Sequence, residues 1–367
     1  MLNIVVPMAG RGSRFAIAGY TDPKPLIRFG GKPMIQWVVE NIAPKAQHRF
    51  IFICLAEHLA SYANLPETLS TLCPGCKIVA VNQVTQGAAC TVLLAKEFID
   101  NNDRLMIANA DQFVTLGIDE YLGSMERQSA DGLIMTFHAD DPKWSYCRMS
   151  HNGEVAEVRE KQVVSNEATV GIYNFRRGAD FVRAAERMIF NDLRVNGEFY
   201  VAPVYNQLIE EGRKVVVART GFEYDGMYGL GVPGDLDFFM TTSIYENNRT
   251  DGAPPLQSNE RLASLTRQYV QFFNSRNLSG VAALMTEDFI LEDPTVKQIR
   301  GKNLARNYLK KLFEEFPALE FNAKHIIADD TRSVIEFSLS LGGKILKGAD
   351  VIEWKQGKMT ELRAYLY

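Results

Sequence analysis

Hydrophobic residues in the first two-thirds of the chain alternate between short continuous runs and longer amphipathic stretches. The runs are typical of strands buried on both faces, and the stretches are typical of helices that cover a sheet. This alternation predicts an α/β domain with a mostly parallel sheet, whose ligands bind at the carboxyl ends of the strands. The predicted strands are 4–6, 50–54, 77–81, 104–108 and 214–218, and the predicted helices are 34–42, 88–98, 179–188, 204–211 and 235–245.

The pattern changes in two places. Residues 132–173 form shorter strand-like runs separated by turns such as Asn152-Gly153, which predicts an insertion of antiparallel strands. Residues 246–260 contain Asp251-Gly252 and Pro254-Pro255 and few residues that are suited to burial, which is typical of a linker.

The remainder of the chain has a different organisation, with helices first and strands afterwards. This order is typical of an α+β domain. We therefore expect two domains, 1–245 and 261–367, joined by a linker at 246–260. The predicted elements of the second domain are helices at 261–274, 279–285 and 301–316 and strands at 321–328, 332–341, 345–354 and 359–365.

Composition narrows the possible partners. A chain of 367 residues is longer than a domain with one hydrophobic core usually is, which predicts two domains. The net charge of −4 argues against a dedicated nucleic-acid binder. No apolar run approaches the roughly 20 residues that span a bilayer, and the start of the chain lacks the features of a signal peptide. These observations predict a cytoplasmic protein with neither nucleic acid nor membrane as a partner.

A loop with two glycines follows the first predicted strand. Gly10 and Gly12 allow backbone N–H groups to approach anionic oxygens closely. The loop matches neither the dinucleotide fingerprint, since Phe15 replaces the third glycine, nor the P-loop. Two cations are nearby instead: Arg14, and Lys24 between two prolines that restrict where the lysine points. The pattern predicts a phosphate site.

These motifs, in this order, resemble those of the sugar-phosphate nucleotidylyltransferases. The resemblance continues to about Tyr245 and implies a Rossmann-like nucleotidyltransferase domain. It also implies the transfer of a nucleoside monophosphate from a nucleoside triphosphate to a sugar 1-phosphate, with release of pyrophosphate. The motifs are Pro7-Met8-Ala9-Gly10-Arg11-Gly12-Ser13-Arg14-Phe15, Pro23-Lys24-Pro25-Leu26 and Gly31-Lys32-Pro33-Met34.

The resemblance implies a role for each matching residue. Arg14 meets the β- and γ-phosphates, Lys24 stabilises the α-phosphoryl group, and Lys161 positions the acceptor phosphate. The implied nucleotide-binding set, in which Gln83 pairs with the base, is Ala9, Gly10, Gly12, Ser13, Gln83, Gly87, Ala88 and Asp111. The implied acceptor-binding set is Tyr146, Glu160, Lys161, Thr169, Gly171 and Glu198.

The implied cofactor is Mg²⁺, held by Asp111 after a predicted strand. Many relatives supply a second carboxylate two residues before a Gly-Thr-Pro, and the aligned residue here is Gly229. Asp225, four residues earlier, is a candidate replacement. Asp111 alone also suffices, because magnesium completes its shell with phosphates and water.

Residues 261–367 resemble the NTF2-like, SnoaL-type α+β cone. The resembling segments are 269–273, 301–302 and 357–365. Domains of this fold vary from enzymes to dimerisation modules, so the fold does not decide the role. The leading hypothesis is a homodimer formed through this domain. Under the alternative, acid–base catalysis, the candidate residues are Asp293, His325 and Asp350.

Two other functions stay open at this point. One is a nucleotidyltransferase that acts on a non-sugar phosphate such as a polyol phosphate. The other is an inactive nucleotide-binding scaffold, which the glycine at position 229 favours. The base is not determined by the sequence. The sequences of residues 19–26 and 197–206 resemble those of enzymes that supply activated sugars for the synthesis of bacterial capsule or surface polysaccharide.

Overall fold

The continuous apolar runs form the centre of one large sheet. The computed structural model describes residues 1–367, which divide into two units, Met1–Pro233 and Gly234–Tyr367. The strands of the first unit are β1 (Leu2–Met8), β2 (Arg28–Phe29), β3 (Lys32–Pro33), β4 (His48–Leu55), β5 (Lys77–Val81), β6 (Arg104–Ala108), β7 (Gln112–Val114), β8 (Gly132–His138), β9 (Ser145–Met149), β10 (Val155–Glu160), β11 (Glu167–Phe175), β12 (Val215–Glu223) and β13 (Gly226–Gly229).

Helices connect these strands. They are α1 (Ser13–Ile17), α2 (Met34–Ile42), α3 (Ala56–Ser61), α4 (Asn64–Leu72), α5 (Ala88–Leu93), α6 (Lys96–Ile99), α7 (Ile118–Arg127), α8 (Gly178–Phe190) and α9 (Tyr205–Glu210), with 3₁₀ turns at Lys24–Leu26 and Ala202–Val204. Alternate residues of β1 belong to different clusters of buried side chains: Ile4 and Val6 to one, Val5 to the other. Successive side chains of a strand point to opposite faces, so both faces of the sheet are covered.

The sheet runs in the order β5-β4-β1-β6-β11-β8-β12-β13-β7, with β9 and β10 attached beside β11. β1 is parallel to both β4 and β6, and β11 is antiparallel to β6 and β8. The predicted mostly parallel sheet with an antiparallel insertion is confirmed. Because β1 and β6 are parallel neighbours, with Val5 opposite Ile107, the segments that follow them meet at one edge of the sheet.

Two predicted helices are interrupted. The predicted helix 88–98 is divided into α5 and α6, since Leu94 and Ala95 donate to residues only three positions back. The predicted helix 235–245 consists of α10 (Pro233–Met240) and α11 (Ser243–Asn248), and the Thr242 side chain begins the second of these by accepting from Tyr245 N. Between α11 and the next helix, residues 249–257 contain no helix or strand and are almost entirely exposed.

The second unit contains a six-stranded sheet in the order β15-β14-β19-β18-β17-β16. None of the helices in the protein combines the length and the apolar composition that a bilayer crossing requires. The remaining elements are α12 (Ser258–Asn274), α13 (Leu278–Ala283), α14 (Lys302–Glu315), β14 (Met285–Glu292), β15 (Ile299–Arg300), β16 (Glu320–Ala328), β17 (Arg332–Leu341), β18 (Lys344–Lys355) and β19 (Lys358–Leu366).

The sequence pattern did not predict β14. This strand pairs in parallel with β19, yet only three of its side chains, Met285, Phe289 and Leu291, are buried. Three acidic residues interrupt its apolar pattern. The strand is therefore specified by its partner more than by its own hydrophobicity.

Candidate active site

The loop after β1 is open and carries unpaired positive charge. Gly10 is exposed, and nothing lies within 4 Å of the position that a Cβ would take there. Gly12 packs against Lys24, since a Cβ at Gly12 would lie 3.2 Å from the Lys24 Cβ. Arg11 and Arg14 are exposed, and neither guanidinium has an ion-pair partner. The loop therefore presents two free cations to an anionic ligand.

Lys24 lies in a 3₁₀ turn with a proline on each side and points at the carboxyl edge of β6. Its Nζ donates a hydrogen bond to Asp111 Oδ2. Asp111 lies between β6 and β7, where its carbonyl accepts from Leu230 N at 2.7 Å. Gly231 leaves room for the pair, since a Cβ there would lie 2.8 Å from Asp111 Oδ2 and 3.7 Å from Lys24 Nζ. Two residues that are distant in the sequence thus form one ion pair.

Asp225 is not part of this pair, which corrects its assignment as a metal ligand. Gly229 lies opposite Gln112 in the β13–β7 register, so the chain passes Asp111 at residues 230–231. Asp225 lies on the order of 10 Å back along the strand, in an exposed turn closed by its own bond to Phe222.

The residues present are better suited to a metal ion that binds together with a ligand than to one that the protein binds alone. The protein contains no group of three or more His, Cys, Asp or Glu side chains placed to hold a metal ion. Asp111 supplies a single carboxylate at the carboxyl edge of the sheet. Magnesium commonly binds through one or two carboxylates and completes its coordination with substrate phosphates and water. The donor set is therefore compatible with Mg²⁺ bound together with a nucleotide.

The loop before α5 is joined to the segment that begins at Glu198. Gly87 has a φ of 123°, and a Cβ there would lie 2.5 Å from the Phe199 carbonyl oxygen. Phe199 N donates to Gln86 O at 2.8 Å, and Ala89 N donates to Phe199 O at 3.0 Å. Glycine is required at position 87 for both its backbone conformation and this close approach. The predicted base-binding and acceptor-binding segments are therefore in direct contact.

The same loop leaves Gln83 free. The Gln83 side chain is exposed, so its amide is available to a ligand. Threonine side chains stabilise the loop behind it. Thr85 Oγ1 lies 2.6 Å from Thr91 Oγ1 and donates to Gly87 O at 2.8 Å. The two threonines were not predicted as site residues, although their Thr-x-x-x-x-x-Thr spacing across the start of α5 is present in the sequence.

A cavity of about 180 Å³ adjoins these segments. It is smaller than the roughly 300–1,000 Å³ of a drug-sized ligand pocket. Of the predicted residues, Ala88, Glu160, Thr169 and Gly171 line it. The other lining residues are Asn109, Gln112, Lys143, Trp144, Ser145, Val170, Tyr173, Tyr200, Val201 and Ala202.

Gly171 brings the floor of this cavity close to the strand that carries Asp111. Its φ is 99°, and a Cβ there would lie 2.2 Å from Asn109 Nδ2 and 2.7 Å from Gln112 Oε1. Its carbonyl accepts from Asn109 N at 3.0 Å. A side chain at position 171 would displace both amides, which explains why glycine is required there.

Glu160 is the acidic group of the cavity. It lies at the end of β10 and accepts a hydrogen bond from Ser145 Oγ. Burial raises the pKa of Glu160, and the negative charge of Glu198 acts in the same direction. A half-buried carboxylate in a small cavity is an acceptor for the hydroxyl groups of a ligand.

Lys161 directly follows Glu160 and has a left-handed conformation with a φ of 53°. Its Nζ donates to Tyr200 Oη at 2.9 Å, and this hydrogen bond raises the pKa of Lys161. Burial raises the pKa of Tyr200, and the exposed Glu198 acts in the same direction. The structure therefore brings Lys161 and Tyr200 together, with Glu198 two residues before Tyr200 in the chain.

Tyr146 does not face the cavity, which corrects its assignment to the acceptor site. The residue is fully buried in the hydrophobic core, and its hydroxyl donates to Asp141 O at 2.7 Å. Its neighbour Ser145 lines the cavity instead, because successive residues of β9 point to opposite sides.

Two lining residues that sequence reasoning missed have unsatisfied polar atoms. Gln112 Oε1 and Trp144 Nε1 are buried and have no hydrogen-bond partner. A buried polar atom without a partner costs about 1–3 kcal/mol, so a ligand that pairs with it recovers that energy. The position of Gln112 directly after Asp111 was the available signal. Nothing in the sequence distinguished Trp144.

An open cationic loop at the end of β1, the Lys24–Asp111 pair and a small polar cavity are therefore features of one α/β unit. The chain belongs to the nucleotidyl transferase family, whose model matches residues 4–193. A SnoaL-like domain model matches residues 266–362. Both resemblances seen in the sequence are confirmed, and so is the fold class.

Individual relatives agree with this assignment. The bifunctional protein GlmU of Thermotoga sp. (strain RQ2) is 29% identical over 228 residues, 60% of this chain and 46% of that protein. The chain thus spans about half the length of the curated relatives it matches. The crystal structure of the nucleoside-diphosphate-sugar pyrophosphorylase of Vibrio cholerae RC9 is 26% identical, with a TM-score of 0.55, covering 65% of this chain and 100% of that one.

A more distant structure shares the fold alone. The UDP-glucose pyrophosphorylase of Acinetobacter baumannii is 17% identical, with a TM-score of 0.52, over 68% of this chain and 95% of that one.

Proposed function

We propose that the first unit transfers a nucleoside monophosphate from a nucleoside triphosphate to a sugar 1-phosphate and releases pyrophosphate. One observation carries the proposal. The small polar cavity is lined by Gln112, which follows Asp111, the partner of Lys24, and by Glu160, which precedes Lys161. This supports a site with one cation for each of two phosphorylated reactants, since joining two anions requires that both be held and their charge neutralised.

In the proposed reaction a phosphate oxygen of the acceptor attacks the α-phosphorus in line. The bond from that phosphorus to the bridging oxygen breaks, and the electron pair leaves with pyrophosphate. Arg11, Arg14 and the amides of the loop hold the β- and γ-phosphates. Lys24 neutralises charge on the α-phosphoryl group, and Lys161 orients the attacking phosphate. No covalent intermediate with the protein is required.

Asp111 would hold Mg²⁺ together with the phosphates, and the bound ion would supply further neutralisation of their charge. Asp225 has no part in the proposal, because the register places it elsewhere. Asp111 would then be the one protein carboxylate on the metal, which is sufficient if phosphates and water complete the coordination.

The cavity lining supports a sugar as the acceptor. Carboxylate, amide and hydroxyl groups from Glu160, Asn109, Gln112 and Thr169 surround a space suited to a monosaccharide. Gln112 Oε1 and Trp144 Nε1 have no partner within the protein, so a hydroxyl group that reached them would donate to the first and accept from the second. We infer that the product is used in the synthesis of surface polysaccharide. The resemblance of residues 19–26 and 197–206 to the corresponding segments of enzymes of that kind supports this inference.

The test is a pyrophosphate-release assay on the full chain with Mg²⁺. UTP, dTTP, CTP, GTP and ATP are each combined with glucose 1-phosphate, N-acetylglucosamine 1-phosphate, mannose 1-phosphate or inositol 1-phosphate. We expect release that requires both a triphosphate and a hexose 1-phosphate. Release with inositol 1-phosphate alone would favour the polyol alternative, and no release in any combination would favour the scaffold.

A further inference from the structure

The second unit contains an apolar cavity of about 500 Å³, lined by α12, α14 and the inner face of the sheet. This volume is within the range of about 300–1,000 Å³ that is typical of small-molecule sites. Most of the wall consists of leucines and aromatic rings. The rings are those of Tyr269, Phe273, Tyr308, Phe316, Phe321 and Phe337.

One carboxylate interrupts this wall. The inward-facing residues of β18 are Leu346, Gly348, Asp350, Ile352 and Trp354, so Asp350 occupies a position where the pattern calls for an apolar side chain. It is only 3% exposed, lines the cavity and forms no hydrogen bond or ion pair through its side chain. Burying an unpaired acid is costly, so this position requires an explanation other than stability.

The neighbours of Asp350 do not compensate its charge. The adjacent positions on β17 and β19 are Ile335 and Ala364. Burial and the negative charge of Asp293 raise the pKa of Asp350 to about 8. The titratable groups that face the cavity are Asp293 after β14, Tyr269 on α12, and Tyr308, Lys311 and Glu315 on α14.

Asp293 lies at the mouth of the cavity, half-buried. Its Oδ1 accepts from Thr295 N at 2.7 Å, which fixes the carboxylate on the cavity wall. His325, considered with the two aspartates from the sequence, is exposed on β16 and does not line the cavity, which corrects that assignment. Three carboxylates and one ammonium group therefore line an otherwise apolar space.

We propose that this cavity binds a small, mostly apolar amine, whose ammonium group pairs with Asp350 and Asp293. The aromatic rings cover the apolar body and attract the cation through their faces. A cation is the ligand that compensates the excess of acid and repays the burial of Asp350. This site is separate from the nucleotidyl transfer proposed above and does not depend on it. The homodimer predicted for this unit stays a prediction.

The first test compares two probes of equal shape on the full chain by titration calorimetry. These are 4-phenylbutylamine and the neutral 4-phenyl-1-butanol. At about pH 8.5, where most of Asp350 is ionised, we expect the amine to bind at least about tenfold more tightly, as a charged hydrogen bond requires. Equal or tighter binding of the alcohol, or no binding of the amine, would overturn the proposal.

The pH dependence gives an independent readout. The amine pairs with the ionised form of Asp350, and that form increases as the pH rises through about 8. The amine itself stays protonated, since alkylammonium groups titrate near 10. Its affinity should therefore increase by roughly tenfold or more between about pH 6.5 and about pH 8.5. An affinity that falls over this range would indicate a neutral acceptor ligand bound by protonated Asp350, and would contradict the proposal.

A matched pair of variants locates the site. Asp350→Asn keeps the shape and removes the charge, so the preference for amine over alcohol should disappear. Asp330→Asn removes an exposed acid of the same unit, and the preference should persist. A preference that survives in folded Asp350→Asn would place the amine elsewhere and overturn the assignment. The comparison of probes on the unmodified protein needs no variant to fold.

Discussion

Replacing Lys24 with alanine separates the catalytic value of its charge from its structural value. Lys24 Nζ pairs with Asp111 Oδ2, and the side chains are 22% and 27% exposed. The structural role is therefore that of one partly exposed ion pair. The proposed catalytic role is the neutralisation of charge on the α-phosphoryl group in the transition state.

The two roles predict effects of very different size. Loss of an ion pair with this exposure costs about 1 kcal/mol or less of unfolding free energy. Loss of one preorganised electrostatic contact to a transition state typically reduces kcat by about 10²–10³. We therefore expect Lys24→Ala to reduce kcat by at least about a hundredfold, while the melting temperature changes by only a few degrees.

Steady-state pyrophosphate release and thermal unfolding, measured on the same preparation, test this expectation. Lys96→Ala is the matched control. Lys96 Nζ forms an ion pair with Glu186 at a distance of 2.6 Å, and neither residue belongs to the proposed site. It should lose similarly little stability and keep full activity. A Lys24→Ala protein with near-normal kcat, or one whose activity loss only follows its unfolding, would refute the reasoning.

Three further predictions follow from the geometry. Lys161→Met should raise the KM for the acceptor and reduce kcat/KM by about 10–100-fold. Stability should change little, because the exposed ammonium group is hydrogen-bonded only to Tyr200. A rise confined to the KM of the triphosphate would contradict this. Gly87→Ala should cost about 1–3 kcal/mol in a denaturant titration, because the new Cβ meets the Phe199 backbone at a φ of 123°, and an unchanged midpoint would argue against that contact. Asp350→Leu should stabilise the protein, by on the order of 5 kcal/mol at most near pH 8. The reason is that the raised pKa of Asp350 makes the stability of the unmodified protein fall as the pH rises from about 4 to about 8. Unfolding curves measured at the two ends of this range should show that the variant lacks the decline.

The parts of the site that depend on local sequence were predictable. The glycine loop and Lys24 are close in the chain and lie in a proline-restricted segment, so their residue types and order carry the information. The placement of Asp111 at the carboxyl edge of the sheet followed from a general rule, since parallel neighbouring strands end at the same edge, but its ion pair with Lys24 was not predicted.

The parts that depend on strand register were not predictable. Tyr146 and Ser145 differ by one position, and only the pairing of β9 decides which of them faces the cavity. Asp225 was a reasonable metal candidate until the β13–β7 register placed Gly229 opposite Gln112. The cavity around Asp350 is also lined by Asp293, which directly follows β14. The sequence pattern did not predict β14, so the placement of Asp293 beside Asp350 was not predictable.

The most direct measurement of the central claim follows the oxygen atoms. A hexose 1-phosphate labelled with oxygen-18 in its phosphate is incubated with the full chain, Mg²⁺ and the triphosphate that the panel identifies, and the products are analysed by mass spectrometry. In-line attack by the acceptor phosphate predicts that all of the label is retained in a nucleoside diphosphate sugar and that the pyrophosphate is unlabelled. Label in the pyrophosphate, or pyrophosphate without any nucleotide sugar, would contradict the account.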